Sequence, residues 1–206
     1  MGNLLSRAGW SILEYLRRGV TPFVLNLMFG MTIFAFSGIE TAELKFILVF
    51  AFLALTYFVD FILIRSMGEY AYKMKVAGDN IRNGRPAGMD LGNGAKYRPS
   101  KEYRVYKGFI IGLVVCIVPI VLIIVDLCTG STGARVAFGM VAGWAVMPVL
   151  NISSQASLLY ALIPCGVEIV AAGIAYILGG NKERDRQLAL EQKAETVSKI
   201  KGAKKR

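Results

Sequence analysis

Histidine is absent from these 206 residues. That absence excludes Ser–His and Cys–His nucleophile pairs, histidine-ligated metals and the HExxH motif together. Cysteine is scarce, and Cys116, Cys128 and Cys165 follow no metal or redox spacing. Cys116 and Cys165 fall inside apolar runs, where cysteine behaves as a small hydrophobe. No G-x-x-x-x-G-K-[ST] phosphate loop is present. No cofactor and no metal are therefore expected. An enzyme is the class to which the chain points least, with a lipid-modifying activity built on carboxylates and arginines as the one enzymatic reading left.

Charge is also in short supply. Charged residues make up 18% of the chain, apolar residues 55%, and the mean hydropathy is +0.52. A soluble domain carries roughly a quarter charged residues. The charges that exist are segregated: long stretches have none, and others are dense in lysine and arginine. A bilayer demands this pattern, because an ionised side chain in hydrocarbon costs several kcal/mol. The net charge of +10 sits beside the apolar runs, where basic residues hold loops on the cytoplasmic side and meet anionic lipid headgroups. Nucleic acid is not the expected partner.

Residues 1–18 read as an amphipathic interfacial helix, with Leu4, Leu5, Ala8, Ile12, Leu13 and Leu16 on one face and Trp10 at headgroup level. Residues 19–64 read as a transmembrane hairpin. Its first span is Gly19 to Ile39, with Pro22 near the start, and its second is Phe46 to Ile64, interrupted only by Asp60. Residues 65–107 form a basic cytoplasmic loop. Ser66 to Ala77 are able to continue the second helix, but Asn83-Gly84, Pro86, Gly88 and Pro99 forbid a long regular element beyond it. Residues 108–180 hold the remaining spans, beginning with Phe109 to Leu127, and Gly179-Gly180 is expected to end the last helix. Residues 181–206 read as a basic cytoplasmic tail, solvated and free to fray.

Parity decides the count of spans. The N-terminus, the 65–107 loop and the tail are all basic and are expected on one side. An even number of crossings must then separate the loop from the tail, whereas counting apolar runs gives three. The fold expected is all-α: a polytopic transmembrane helical bundle of four crossings, with a re-entrant or short broken fifth segment at 136–152. Five full spans are the alternative, with Gly139 and Gly143 as a close-packing helix face. The expected location is a cell membrane of the bacterial cytoplasmic kind.

Three acidic residues interrupt the apolar runs. Asp60 and Asp126 lie toward the ends of their helices, where water or basic neighbours are in reach. Glu168 is ten residues from either end of the Leu158–Leu178 run, with Pro164 one turn before it and no basic residue in its span. An intramembrane carboxylate is a functional candidate by default. With Asn151, Ser153, Ser154, Gln155 and Ser157, Glu168 forms the candidate polar site, and Asp60 and Asp126 are secondary candidates. In size and charge pattern the chain resembles small bacterial transporter subunits in a general way, without a motif that names a family. The function expected is a small transporter, or a transporter subunit, for an ion or small solute. The alternative is a non-transporting accessory or scaffold protein that docks membrane-protein partners or anionic lipids through its basic loop and tail.

Overall fold

A computed structural model describes residues 2–84, 97–129, 138–152 and 157–203, with backbone alone for 2–11, 198, 199 and 201–203. All regular structure among them is helical. Helix α1 spans Gly2–Ala35, α2 Ala42–Arg82, α3 Lys107–Thr129, α4 Gly143–Ile152 and α5 Leu162–Ala203. Single 3-10 turns cover Phe36–Gly38, Pro99–Lys101 and Leu158–Ala161. Four helices are long and apolar enough to cross a membrane, and α4 is not. Ten residues of α-helix rise about 15 Å, half of a roughly 30 Å hydrocarbon core. The fold is an all-α bundle of four spans with a short fifth segment.

Pairwise contacts fix the directions of the spans. The Tyr57 hydroxyl of α2 donates to the carbonyl of Pro164 on α5 at 3.0 Å, and Glu69 meets Lys182 at 2.8 Å. Both pairs advance together, so α2 and α5 run parallel. Helix α3 runs against α5: Gly108 lies beside Tyr176, Gly112 beside Ile169, and the Cys116 thiol donates to the Cys165 carbonyl at 3.5 Å. Helix α1 runs against α2 and α5 and packs along α3, where Gly19 meets Val114. One end of the bundle therefore gathers Arg18, Arg65, Lys107 and Lys182. The other gathers the α1–α2 turn, the end of α3, and α4.

Glycine makes the central contact possible. A Cβ at Gly179 would collide with the Arg65 carbonyl oxygen, and one at Gly68 with that of Tyr176. The backbones of α2 and α5 touch here, the close approach that small residues allow between membrane helices. Gly179-Gly180 thus serves packing and does not end the helix, which continues to Ala203. Chain termination falls elsewhere. Helix α2 stops where Gly84 takes a φ of +68°, a left-handed conformation that ends helices at low cost. Helix α1 is also longer than a separate interfacial helix and span, running through Pro22 without a break.

Short α4 packs inside the far end. A Cβ at Gly143 would collide with the Gly30 carbonyl oxygen on α1, so the small-residue face read from Gly139 and Gly143 does pack closely, on a segment too short to span. Trp144, Ala145 and Met147 of α4 join Ile33, Val49 and Leu53 in one buried cluster, while Val146 and Val149 join Ile123 and Leu158 in another.

At the basic end, the chain from Tyr97 to Lys107 folds onto the bundle. Glu102 accepts from Tyr97 at 2.5 Å and from Arg82 at 2.9 Å. The bond to Glu102, with some burial, holds the Tyr97 phenol above its ordinary range. The Tyr103 ring stacks on Tyr176 with centroids 5.3 Å apart. The Lys107 ammonium donates to the carbonyls of Ser100 and Glu102 at 2.5 and 2.7 Å.

The α2–α5 contact yields a stability test. Gly68→Ala and Gly179→Ala should each destabilise the purified protein by about 1–3 kcal/mol through overpacking, read as a lower melting temperature in detergent. Gly166→Ala, with no atom within 4 Å of the new Cβ, should match wild type or exceed it slightly, since alanine favours helix. Equal melting temperatures for all three variants would show that the two backbones do not touch.

Candidate functional site

Three polar side chains converge in the middle of the bundle from three helices: Asn26 of α1, Asp60 of α2 and Glu168 of α5. Each is 1% exposed. Their burial is dictated by helical spacing. Asp60 falls on the inward stripe Val49, Leu53, Thr56, Asp60, Ile64, Gly68 and Ala71 of α2, three or four residues apart as a packed helix face requires. Asn26 occupies the same kind of stripe on α1, between Pro22, Gly30 and Ile33. Glu168 lies between the buried residues Cys165 and Ala172.

Asp60 faces both the Asn26 amide and the Glu168 carboxyl at side-chain interaction range. Among the described residues, no formed hydrogen bond reaches either carboxyl oxygen of Asp60 or Glu168, or either amide atom of Asn26. The three are near enough to couple electrostatically without the geometry of closed bonds. Unsatisfied buried polar groups cost about 1–3 kcal/mol each, and charged ones more, so such a cluster is expensive for the fold.

The groups acting on the two carboxyls are Asn26, Cys165 and each other, with no lysine or arginine among them. Two carboxylates that face one another in a low dielectric do not both stay ionised unless a cation joins them. Cys116 of α3 and Cys165 of α5 are buried alongside. Tyr57, one turn before Asp60 on α2, lies within electrostatic reach of Glu168, and its hydroxyl donates to the Pro164 carbonyl. Chemically the cluster suits a shared proton or a monovalent cation. Among the described residues no group of three or more histidine, cysteine, aspartate or glutamate side chains is arranged to hold a metal ion.

The remaining candidates lie elsewhere. Asn151 stands at the far end, lining a surface cavity of about 590 Å³ with Ala42, Glu43, Lys45, Phe46 and Ile47, more than three turns before Asp60. Ser157 is exposed, and its hydroxyl accepts from the Leu159 amide at 3.3 Å, capping the 3-10 turn. Ser153, Ser154 and Gln155 lie outside the described residues. Asp126 is buried near the far end of α3 and has a partner there. Asp60 does not pair with the basic residues beyond it on α2. Arg65 approaches Glu69 instead, at 3.9 Å.

Helix α5 begins at Leu162, so Pro164 occupies the first turn, where a missing N–H breaks no helical bond. The carbonyl that matters beside the site is its own, which accepts from Tyr57. Asn26 was not foreseen. Its signal was its position four residues before Gly30 and seven before Ile33, on the packed face of α1.

Comparison with protein-family models, with curated proteins and with solved structures finds no match for this chain.

An unpartnered acidic pair makes an unusual stability prediction. A carboxamide both donates and accepts, so Asp60→Asn gives Glu168 a donor and removes the repulsion between the two carboxyls. The variant should melt a few degrees above wild type in detergent at pH 8. Melting well below wild type would mean that the Asp60 carboxylate is firmly bonded in the native protein.

Proposed function

We propose that this multi-pass membrane protein is a small transporter, or the membrane subunit of one, whose transport step runs through the Asp60–Glu168 carboxyl pair. The observation that carries the reading is the convergence of Asn26, Asp60 and Glu168, each 1% exposed and none with a closed hydrogen bond among the described residues. Ionisable groups inside a membrane bundle mark ion and proton pathways. Asn26 lies eight residues beyond Arg18 and nine before the end of α1 at Ala35, which puts the cluster about midway along a span. A pair of acids that exchanges a proton for a cation is a sufficient coupling device.

Purified protein in proteoliposomes, under an imposed membrane potential and read with an internal pH dye, should pass protons above empty vesicles. Glu168→Gln and Asp60→Asn should each slow that flux at least about tenfold. Flux unchanged in both variants would remove the pair as the coupling element.

A second reading has its own observation. At the basic end Arg17, Arg18, Ser66, Tyr70 and Lys101 line a cavity of about 310 Å³ together with Glu14, which pairs with Arg18 at 2.9 Å; the excess of basic groups suits an anionic lipid headgroup. Helix α5 continues past Lys182 as an exposed helix bearing Arg184, Arg186 and Lys193. These features fit a non-transporting accessory protein that docks lipids or partner subunits. Wild-type vesicles that pass no protons would favour this reading over transport.

We infer that the basic end faces the cytoplasm of the cell whose membrane holds the protein, by the positive-inside rule. A reporter fused after Arg206 should be active only in its cytoplasmic form. Activity of the secreted form alone would invert the arrangement.

A further inference from the structure

A third cavity lies one helical turn from the carboxyl pair. It has a volume of about 610 Å³ and is walled by α2, α4 and α5, through Phe50, Leu53, Tyr57, Val149, Pro164 and Val167. Pockets that take small organic molecules run from about 300 to 1,000 Å³. Its rim residues Tyr160, Ile163 and Ile152 are 59%, 63% and 71% exposed, on the apolar flank of a bundle whose flank faces lipid. The rim is apolar, as an opening toward the hydrocarbon requires.

Asp60 and Glu168 do not line this cavity themselves; residues one helical turn before each of them do. Tyr57 lines the cavity and precedes Asp60 by three residues; Pro164 lines it and precedes Glu168 by four. Residues three and four apart share a helix face one turn removed, about 5.4 Å along the axis. Between α2 and α5 here stands a polar link, the Tyr57 hydroxyl donating to the Pro164 carbonyl at 3.0 Å. The Glu168 carboxyl lies close enough to act electrostatically on the Tyr57 hydroxyl. An aromatic ring above a cation-seeking pair of acids is itself a cation binder.

We infer that the cavity and the carboxyl pair form one bipartite site for a lipophilic monovalent cation that enters from the bilayer. The apolar body of the ligand fills the space between α2, α4 and α5, and its charge rests on the Tyr57 ring against Asp60 and Glu168. The charge of the site selects the occupant. Among the described residues no lysine or arginine lines the cavity, and none acts on the two carboxyls. A neutral lipid tail would leave the acids unpartnered, whereas a cation satisfies them.

The titratable groups that face the charge are Tyr57 and Asp60 from α2, Cys116 from α3, and Cys165 and Glu168 from α5. Asn26 from α1 contributes a polar amide. This inference rests on reading the carboxyl pair as a cation site and adds the class of substrate.

The test compares two probes of one shape and opposite charge, tetraphenylphosphonium and tetraphenylborate, by equilibrium dialysis against full-length protein in detergent. Excess unlabelled probe corrects for uptake by micelles. Tetraphenylphosphonium should bind saturably and tetraphenylborate should not. Glu168→Gln should weaken binding at least about tenfold. Val167→Trp, on a half-exposed wall position, should weaken it by filling the cavity without touching the acids, and melting curves confirm that both variants are folded. Equal binding of the two probes, or full binding by Glu168→Gln, would show an apolar cavity for lipid chains and overturn the inference. Absence of saturable binding to a wild-type protein that passes protons would overturn the inference alone and leave the transport reading standing.

Discussion

The backbone contact between α2 and α5 is the constraint on which the rest of the structure depends. Two spans in hydrocarbon gain nothing from the hydrophobic effect by meeting each other, so their association relies on close packing and on polar bonds between them. Gly68 against the Tyr176 carbonyl, and Gly179 against the Arg65 carbonyl, supply that packing at the basic half of the pair. Because the helices run parallel from this contact, Tyr57 is brought level with Pro164 and Asp60 level with Glu168. The acidic pair is a consequence of register. A slip of one residue between α2 and α5 would turn one carboxylate out toward lipid, where no partner offsets its charge. The glycines set the register, and the register sets the site.

Helices α1 and α3 close the remaining sides with the same device. Gly30 and Gly143 let α1 and α4 cross backbone to backbone, and Gly112 lets α3 lie against Ile169 of α5. Short α4 fills the far end with Trp144 and Met147 without adding a crossing. Arg18, Lys107 and Lys182 then meet at one end, and the even number of spans required by the basic segments is met geometrically. The bundle leaves one flank less filled, between the start of α5 and the middle of α2. There the side chains of α4 stop short and the 610 Å³ cavity opens beside the acids.

Much of this was legible in the sequence, and the reasons for the exceptions are physical. Apolar run length located five candidate segments, the four spans among them, because hydrocarbon thickness is a ruler that applies to any helix. Basic segments identified 136–152 as the segment that does not cross, because parity is independent of packing. Glu168 stood out because a lone carboxylate in the middle of an apolar run has few explanations. Asp60 reads as interfacial from its distance to Arg65, but distance along the chain says nothing about which face of the helix each occupies. The face was recoverable from Thr56, Ile64 and Gly68 at helical spacing. Gly179-Gly180 reads locally as a stop, but a neighbour that needs close approach overrides that preference. Asn26 and Tyr57 acquire roles only through partners on other helices, and a linear reading does not contain those partners.

The cost of the site argues that it is used. Exposed positions of the spans are mostly apolar, as Phe58, Ile62, Leu113, Ile117, Val121 and Val170 show, and the exposed Thr32 hydroxyl donates to the Met28 carbonyl of its own helix at 3.1 Å. Thr56, the other polar residue on the buried stripe of α2, is satisfied at once by the Phe52 carbonyl at 2.8 Å. Arg82, Glu102 and Lys107 are likewise bonded at the basic end. Among the described residues, single atoms of Arg18, Arg65, Asn151 and Tyr176 also lack a formed bond, but Asn26, Asp60 and Glu168 are distinguished by lying adjacent, with both polar side-chain atoms of each unbonded. A carboxyl retained only for packing would be replaced by leucine or glutamine at a gain in stability, since a buried charge gives less than a well-packed apolar side chain. On the proposed reading, the paired carboxyls serve a species that visits them, and the half-filled flank behind Tyr57 supplies the volume for its apolar part.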